Sequence, residues 1–396
     1  MIGTSLALAL APLGLQVAVV EAVDRRAPAQ PSFDDRSTAL SRSSQRLFEA
    51  LGLWPEIVAA ATSIRSIHVS DRGRFAFTHI DAEEQNVEAL GYVVINRVLG
   101  EVLQRALDAS ATRFTCPARV CDVRRSTGAL EVDVDTNGEL ATFRCSLLVA
   151  ADGATSRVRD LLGIGASRID YSQHAIIGNV LPEKKPDHHA FERFTEEGPI
   201  AMLPIADDRA AFIWMLDPAR ADAVLAMDDE EFTAALQEAF GHRLGRFSRV
   251  GRRAAYPLAL TRANALTAPR GALVGNAAHG LHPVAAQGFN LGLRDVAALC
   301  DCIADVKDAA NGRFDSGDAA ILERFAEWRR ADQAKVVRFT DGLVHLFGDG
   351  RASSRLLRGL GMLGLDALPG ARSLFAKHTM GLAGSLPRLS RGVPLR

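Results

Sequence analysis

The chain has 396 residues, of which 48% are hydrophobic and 23% charged, and its formal net charge is -1 at pH 7. This length supports a large core built from more than one substructure, and the near-zero net charge excludes a general basic field for nucleic acid. The five cysteines are odd in number and lack paired CxxC spacing, which argues against a disulfide framework or a structural zinc site and favours a reducing compartment.

The first twenty residues carry no charged side chain. About twenty apolar residues would suit a transmembrane helix, but Pro12 and Gly14 interrupt the run. A secretory signal fits less well, because no Lys or Arg precedes the run and no clear cleavage site follows it. The third interpretation is a small-residue helix from about Gly3 to Leu13, a turn, and a buried strand that Glu21 closes. Such a stretch is the second half of a βαβ dinucleotide-binding unit.

The rest of the chain alternates between helix and strand patterns. Helical periodicity predicts helices over 42–51, 96–109 and 229–240. Alternating or clustered apolar residues predict strands over 64–70, 74–80, 91–95, 119–124, 130–135, 141–145, 175–181, 189–195, 200–205 and 210–216. From residue 289 onwards the pattern is helical to the end.

Three strand-to-helix junctions rich in small residues are the strongest functional signal. At the first, Gly3 can occupy the last glycine position of a G-x-G-x-x-G turn, and Glu21 has the spacing of an acid that binds ribose hydroxyls. The alternative is that Glu21 is a solvent-exposed acid at the end of a strand and binds no ligand. At the second junction, Asp152 and Gly153 precede a helix whose N-terminal amides favour anions. Helix capping is the alternative role for Asp152.

The third junction contains His279 and His282, but no third ligand is nearby in the sequence, so no metal is expected. The segment from Pro283 to Gly288 instead brings backbone amides and a helix N-terminus against a planar, electron-accepting ligand. A positive helix end stabilises the reduced state of such a ligand. Neither a Gly-x-Ser-x-Gly elbow nor a Walker loop occurs, so serine nucleophile chemistry has no support.

These junctions and their flanking motifs resemble the single-component FAD-dependent aromatic hydroxylases, and more closely the ubiquinone-biosynthesis hydroxylases among them. The segments that carry the resemblance span nearly the entire chain: 34–41, 89–94, 151–157, 191–195, 198–201, 275–279 and 282–295. The resemblance implies an α/β fold, with a Rossmann-like FAD-binding domain of the p-hydroxybenzoate hydroxylase type, an inserted β-rich substrate domain and a helical C-terminus. The implied divisions are 1–70, 96–170 and 262–305 for FAD, 71–95 and 171–261 for substrate, and 306–396 for the C-terminal region.

The resemblance also implies a role for individual residues. Glu21 would bind the adenosine ribose, Arg36 the pyrophosphate region, and Asn96 would lie beside the cofactor at the start of its helix. Asp152 and Gly153 match a motif associated with both FAD and the reduced nicotinamide. The remaining cofactor positions are Gly275 and Asn276 at the ribitol chain, where the wider group has Gly-Asp, and Pro283, Gln287, Gly288, Phe289 and Asn290 along the isoalloxazine ring. His282 is the one candidate for a catalytic base, and ordering the loop is its alternative role.

The activity implied by the resemblance is hydroxylation of the aromatic ring of a (poly)prenylated phenol in ubiquinone biosynthesis. NADPH or NADH reduces FAD, O₂ then forms a flavin C4a-hydroperoxide, and the electron-rich ring attacks its distal oxygen. The β-rich segment 171–260 is the expected substrate wall. Two alternatives remain open: a flavin hydroxylase of a soluble aromatic compound, and a catalytically silent scaffold member of a quinone-biosynthesis complex.

The C-terminal region interleaves apolar and basic side chains: Leu356, Leu357, Leu360, Leu363 and Phe375 with Arg351, Arg355, Arg358, Arg372 and Lys377. This pattern is typical of a surface that lies on an anionic membrane. It predicts a cytoplasmic protein in peripheral contact with the inner membrane face. Packing against the protein's own core, or against another subunit in a homo-oligomer or biosynthetic complex, is the alternative.

The family pattern places a β-strand and two further glycines immediately before the opening stretch. Met1 therefore falls inside the glycine-rich turn, only Gly3 of that turn is present, and the first strand is missing from this sequence. We expect upstream in-frame codons to encode a short apolar strand ending in glycines. We also expect the 396-residue form to bind FAD weakly, because the missing amides would cradle the pyrophosphate.

Overall fold

A computed structural model describes residues 1–25, 36–72, 77–280, 287–309, 314–348 and 369–395. The opening stretch forms helix α1 (Ile2–Leu10), a 3-10 turn (Ala11–Leu13) and strand β1 (Ala18–Val20), which confirms the helix–turn–strand interpretation. Gly14 ends the turn with φ of 63°, a backbone conformation that favours glycine. Within the described ranges, no helix is both long and apolar enough to span a membrane.

The other described helices are α2 (Arg42–Ala50), α3 (Trp54–Val58), α4 (Asn96–Asp108), α5 (Arg157–Leu161), α6 (Pro218–Leu225), α7 (Asp229–Phe240), α8 (Gln287–Ala309), α9 (Ala319–Gly348) and α10 (Pro369–Thr379). The first ten strands after β1 are β2 (Ser37–Ser41), β3 (Thr62–Ile64), β4 (Ser66–Asp71), β5 (Phe77–Asp81), β6 (Gly91–Ile95), β7 (Arg113–Thr115), β8 (Arg119–Ser126), β9 (Ala129–Thr136), β10 (Glu139–Cys145) and β11 (Leu148–Ala150). The later strands are β12 (Ala166–Pro182), β13 (His189–Phe194), β14 (Ile200–Pro204), β15 (Ala210–Leu216), β16 (Phe247–Val250), β17 (Ala254–Ala263), β18 (Thr267–Ala268), β19 (Gly271–Leu273) and β20 (His279–Gly280).

The helices predicted at 42–51, 96–109 and 229–240 are confirmed to within one residue. Two differences are informative. Helix α6 was not predicted from the sequence; it is a short helix that begins with Pro218 and is capped by the side chain of Asp217. Only the apolar end of β12 was predicted, because the first half of this strand is exposed and lacks the apolar alternation of a half-buried strand.

A nine-stranded sheet holds most of the middle of the chain. Its strand order is β20-β17-β12-β15-β14-β13-β4-β5, with β16 paired to β12 at one end. One face is buried against α6 and α7 through a cluster that includes Met202, Phe212, Trp214 and Phe232. The opposite face is turned towards the rest of the molecule, where Ala190 and Ala211 pack against Ile64 and Val93 of the small sheet β2-β6-β3.

The parallel part of the fold is divided into two pieces. Strand β1 pairs in parallel with β7, and β11 pairs in parallel with β19, which carries β18 on its other side. No ladder joins the two pieces among the described residues. Helices α1, α4, α8 and α9 pack over them and form the largest core cluster, which includes Leu6, Leu103, Leu293 and Phe325.

Helix α10 packs on β5 through a separate cluster that includes Ile80, Ala376 and Met380. Phe375, which the sequence analysis placed on an amphipathic surface, lies partly buried against this cluster. Lys377 and the neighbouring Leu374 are exposed. The other apolar and basic residues of that predicted surface, from 351 to 363, lie outside the described residues.

Candidate functional site

A cleft of about 1670 Å³ separates the two pieces of the parallel sheet. The edge of β1 lines one side through Ala18, Val19 and Val20, and the edge of β11 lines the other through Leu148 and Val149. The cleft reaches the carboxyl ends of these strands at Glu21 and Asp152, and the carboxyl ends of parallel strands in α/β folds are where ligands bind.

Helix α1 begins at this cleft. Gly3 and Thr4 line it, and a Cβ added at Gly3 would lie 3.5 Å from the Cβ of Ala151, just after β11. Glu21 lies at the end of β1, also on the cleft wall, and its Oε1 accepts a hydrogen bond of 2.9 Å from the amide of Val23. A carboxylate at a strand end opposite a helix N-terminus is the arrangement that holds the ribose and phosphates of a dinucleotide.

Arg36 and Asn96 meet on another part of the wall. The amide of Asn96 donates to the carbonyl of Arg36 at 2.8 Å, and Thr38 Oγ1 donates to Asn96 Oδ1 at 2.6 Å. The Arg36 guanidinium stacks over the ring of Tyr256 at 4.9 Å from its centroid. The backbone hydrogen bond thus holds Arg36 beside Asn96, the first residue of α4, and both residues line the cleft.

Asp152 and Gly153 line the cleft just after β11. The Asp152 carboxylate accepts hydrogen bonds from the hydroxyl of Ser156 and, at 3.0 Å, from the amide of Val158. It therefore stabilises the start of α5, which is the capping role considered in the sequence analysis. Gly153 has φ of 90°, which requires glycine in the turn.

Gly275 and Asn276 form a tight turn between β19 and the start of α8. Gly275 has φ of 60°, and its amide donates to Asp295 Oδ2 at 2.9 Å. A Cβ added at Gly275 would lie 3.3 Å from Ile2 of α1. Asn276 lines the cleft, so the close packing of the turn against α1 holds its amide side chain there.

A buried charge network supports this turn. Asp295 is fully buried and receives hydrogen bonds from His279 Nε2 at 2.6 Å, Arg329 Nε at 2.7 Å and Gln333 Nε2 at 3.1 Å. Burial acts to raise the pKa of the Asp295 carboxyl, but its interactions with His279 and Arg329 outweigh burial and hold that pKa well below its usual range. The network ties the Gly275 turn to α8 and α9.

The N-terminal end of α8 contributes Gly288 and Phe289 to the cleft. Asn290 is the next residue, but its side chain accepts from the amide of Ser41 at 2.9 Å and from the hydroxyl of Ser44 at 2.7 Å. Asn290 Nδ2 also donates to the carbonyl of Ala39 at 2.9 Å, so this side chain fastens α8 to β2. Gln287 Nε2 lies 3.4 Å from the carbonyl of Thr379, and His282 and Pro283 lie outside the described residues.

The large sheet closes the cleft on the remaining side with Ile177, Leu203 and Ile213. Ile177 and Ile213 are directly opposite each other on β12 and β15, so they project from one face. The wall is apolar at this point, which suits the planar ring system of a flavin or an aromatic substrate.

The cleft brings together nine of the residues predicted from the sequence to bind the cofactor: Gly3, Glu21, Arg36, Asn96, Asp152, Gly153, Asn276, Gly288 and Phe289. Gly275 stands beside them in the turn that carries Asn276, and Gln287 and Asn290 lie in the first turn of α8. A strand-end acid, an arginine, two helix N-termini and an apolar wall in one large cleft fit the polar and planar parts of FAD. Asp295 and Arg329 were not predicted from the sequence, although Asp295 is the last residue of the matched segment 282–295.

Comparisons with known proteins show the family to which the chain belongs. The model of the family described as "FAD binding domain" matches residues 1–340. The ubiquinone hydroxylase UbiL of Rhodospirillum rubrum is 36% identical over 100% of this chain and 91% of its own length. The 3-demethoxyubiquinol 3-hydroxylase of Escherichia coli is 31% identical over 96% of both chains. The crystal structure of p-nitrophenol 4-monooxygenase PnpA from Pseudomonas putida shares the fold, with a TM-score of 0.78, 18% identity and coverage of 97% of this chain and 96% of that one.

Fold and cleft together define an FAD-dependent monooxygenase of the aromatic-hydroxylase type, which uses FAD, a reduced nicotinamide and O₂. The chain belongs to the FAD-binding family that contains the ubiquinone hydroxylases.

Proposed function

We propose that this chain hydroxylates the aromatic ring of a (poly)prenylated phenol in ubiquinone biosynthesis. The observation that carries the proposal is the apolar wall of Ile177, Leu203 and Ile213, which faces the same cleft as the cofactor residues. The names of the two relatives above, which share nearly the full length of this chain, support a quinone-pathway substrate. When bound, FAD would supply the oxygen-transfer chemistry, while the wall orients the ring and excludes water.

Complementation tests the substrate class. The gene should restore ubiquinone in a strain that lacks a quinone-ring hydroxylase, and mass spectrometry of lipids should show loss of the accumulated prenylphenol intermediate. Unchanged quinone and intermediate levels, with hydroxylation of a soluble aromatic acid by the purified protein, would instead support the soluble-substrate alternative. A protein that binds FAD but never consumes NAD(P)H with any phenol would support the scaffold alternative.

We propose that Glu21 binds the adenosine ribose, that Arg36 binds the pyrophosphate region, and that Asn276 contacts the ribitol chain. Their common location on one cleft supports these roles. Loss of hydrogen bonds to a charged group costs about 1.5–3 kcal/mol, so Glu21→Ala should weaken FAD binding by about ten- to a hundredfold. Asp24→Asn, an exposed carboxylate three residues away, is the matched control in a flavin fluorescence titration.

We also propose a cytoplasmic protein in peripheral contact with the inner membrane face, through its C-terminal region. The exposed Leu374, with 58% of its surface accessible, and the exposed Lys377 on α10 support the proposal. Flotation with vesicles tests it: binding to vesicles with anionic lipid should exceed binding to neutral vesicles and should fall with added salt. Equal recovery with both vesicle types would contradict it.

A further inference from the structure

Glu192 on β13 is a carboxylate that none of the roles above uses. Its side chain is partly exposed, yet Oε1 is buried and has no hydrogen-bond partner in the described part of the chain. Burial raises the pKa of the Glu192 carboxyl to about 7. A buried polar atom without a partner lowers stability, and a ligand that supplies a donor removes this penalty.

Strand register places Glu192 on the face of the large sheet that borders the cleft. Glu192 is opposite Ala201, Ala201 is opposite Ile213, and Ile213 is opposite Ile177. Directly opposed residues project from the same face of a sheet. Ile177, Ile213 and Leu203 all line the cleft, and Leu203 lies two residues beyond Ala201 on β14. Glu192 therefore lies on the same face as the apolar wall, on the strand next to the one that carries Leu203.

The surroundings of Glu192 on this face are almost entirely apolar. On the adjacent strand β4 the same face carries Ile67, Val69 and Asp71, and α10 packs on it through Ile67. The charged or titratable groups on this face of β4 and on α10 are Asp71 of β4 and Arg372, Lys377 and His378 of α10. Arg372 lies 3.4 Å from Glu84 and Lys377 is exposed. Within the described chain no basic side chain forms an ion pair with Glu192, so its charge is not neutralised by a neighbour.

The described carboxylates that line the cleft, Asp152 and Glu21, are already engaged. Asp152 accepts hydrogen bonds at the start of α5, and Glu21 accepts one from the amide of Val23 and lies at the end of β1. Asp295 is enclosed in its network with Arg329. Glu192 is thus a carboxylate on the face that borders the cleft, and its buried Oε1 has no hydrogen-bond partner among the described residues.

We propose that Glu192 contacts the hydroxyl group of the phenolic substrate and accepts its proton while the ring is oxidised. The proposal rests on the proposed function, because it requires a phenol. The O–H bond of the phenol breaks, the proton bonds to a Glu192 carboxylate oxygen, and the electron pair remains on the phenolate oxygen. That pair raises the electron density of the ring, and the proton passes to solvent when product leaves. A base whose pKa lies near the working pH is well suited to this transfer.

Glu192→Gln tests the proposal because it keeps the size of the side chain and removes its basicity. The control is Glu196→Gln, an exposed residue just after β13. With FAD-loaded protein and a short-chain prenylphenol, kcat of the Glu192→Gln variant should fall about 10²-fold or more, the range for loss of a general base. FAD affinity should match the parent. The parent kcat should rise with pH through about 7, and Glu192→Gln should lack this dependence.

A second measurement needs no substrate. The pKa of Glu192 is raised from 4.5 to about 7 in the folded protein, so the unfolded chain ionises first. The stability of the parent relative to Glu192→Gln should therefore be greatest below about pH 4.5 and should decline as pH rises to about 7. Thermal melts of both forms across this range measure the difference.

The outcomes separate this proposal from the function on which it rests. A parent protein that hydroxylates no prenylphenol overturns the proposed function. A parent that does so, with unchanged kcat and pH profile in Glu192→Gln, overturns the role of Glu192. If Glu192→Gln does not fold, Glu192→Asp keeps the carboxylate one methylene further from the ring. It should retain the pH dependence at a lower kcat, and loss of that dependence would contradict the proposal.

Discussion

Replacing Asp295 by Asn tests the network beneath the Gly275 turn. The substitution keeps the shape of the side chain but removes the charge that faces Arg329, whose side chain is only 1% exposed. Breaking a buried ion pair typically costs about 3–5 kcal/mol. Because Arg329 also pairs with Asp332, we expect the lower end of that range, about 3 kcal/mol.

This loss should be visible as a lower melting temperature. Unfolding entropy of about 2.1 cal/mol/K per residue gives roughly 0.8 kcal/mol/K over 396 residues, so about 3 kcal/mol lowers Tm by roughly 4 °C. Calorimetry of FAD-free protein measures the change. Asp160→Asn is the matched control, since that side chain is 68% exposed and its ion pair with Arg159 contributes little.

The pH dependence of the stability deficit can refute this role of Asp295. The pKa of Asp295 is lowered in the folded protein, so its stabilisation is present above the ordinary carboxyl pKa and is lost as pH falls below it. The deficit of Asp295→Asn should thus persist from neutral pH down to about 4, the ordinary range of an aspartate. An unchanged Tm, or a deficit that vanishes by pH 6, would show that Asp295 does not carry this role.

Three further changes have definite expected outcomes. Asp228→Ala removes the capping box of α7 and should cost about 1 kcal/mol in urea unfolding without changing FAD affinity; a loss of flavin would contradict its purely local role. Gly275→Ala forces a side chain to φ of 60°, so both Tm and FAD affinity should fall, and an unchanged flavin titration would argue against the turn as a cofactor contact. Burial raises the pKa of the Cys300 and Cys302 thiols, the latter to about 11, so mass spectrometry after brief alkylation should find Cys121 labelled first. Equal labelling of the three would show that α8 opens readily.

Much of the cleft was predictable because its residues stand at strand-to-helix junctions. Gly3, Asp152 and Asn276 are far apart in sequence, yet the carboxyl ends of parallel strands meet at one edge of a sheet, so the motif positions imply their proximity. Glu192 was not predictable in this way. Its environment depends on the register of β13 with β14 and β4, and strand register across a large sheet is set by non-local pairing.

The buried network was not predictable either, because it also depends on non-local packing. Asp295 and Arg329 lie on different helices, 34 residues apart, and no local pattern indicates that α8 and α9 place them in contact. The contacts of Asn290 with β2 were likewise not predicted from the sequence, because they depend on how α8 packs against that strand. Helix periodicity and strand alternation predict which face is buried, but they do not specify the opposing element.

Both pieces of the divided parallel sheet line the cleft, so FAD bound there would contact both of them. Among the described residues, the piece that carries Glu21 and the piece that carries Gly275 are connected by helix packing rather than by strand hydrogen bonds. A ligand that contacts both pieces and binds only the folded chain stabilises their arrangement. The free energy of unfolding should therefore increase with the concentration of FAD, and Tm should rise with it.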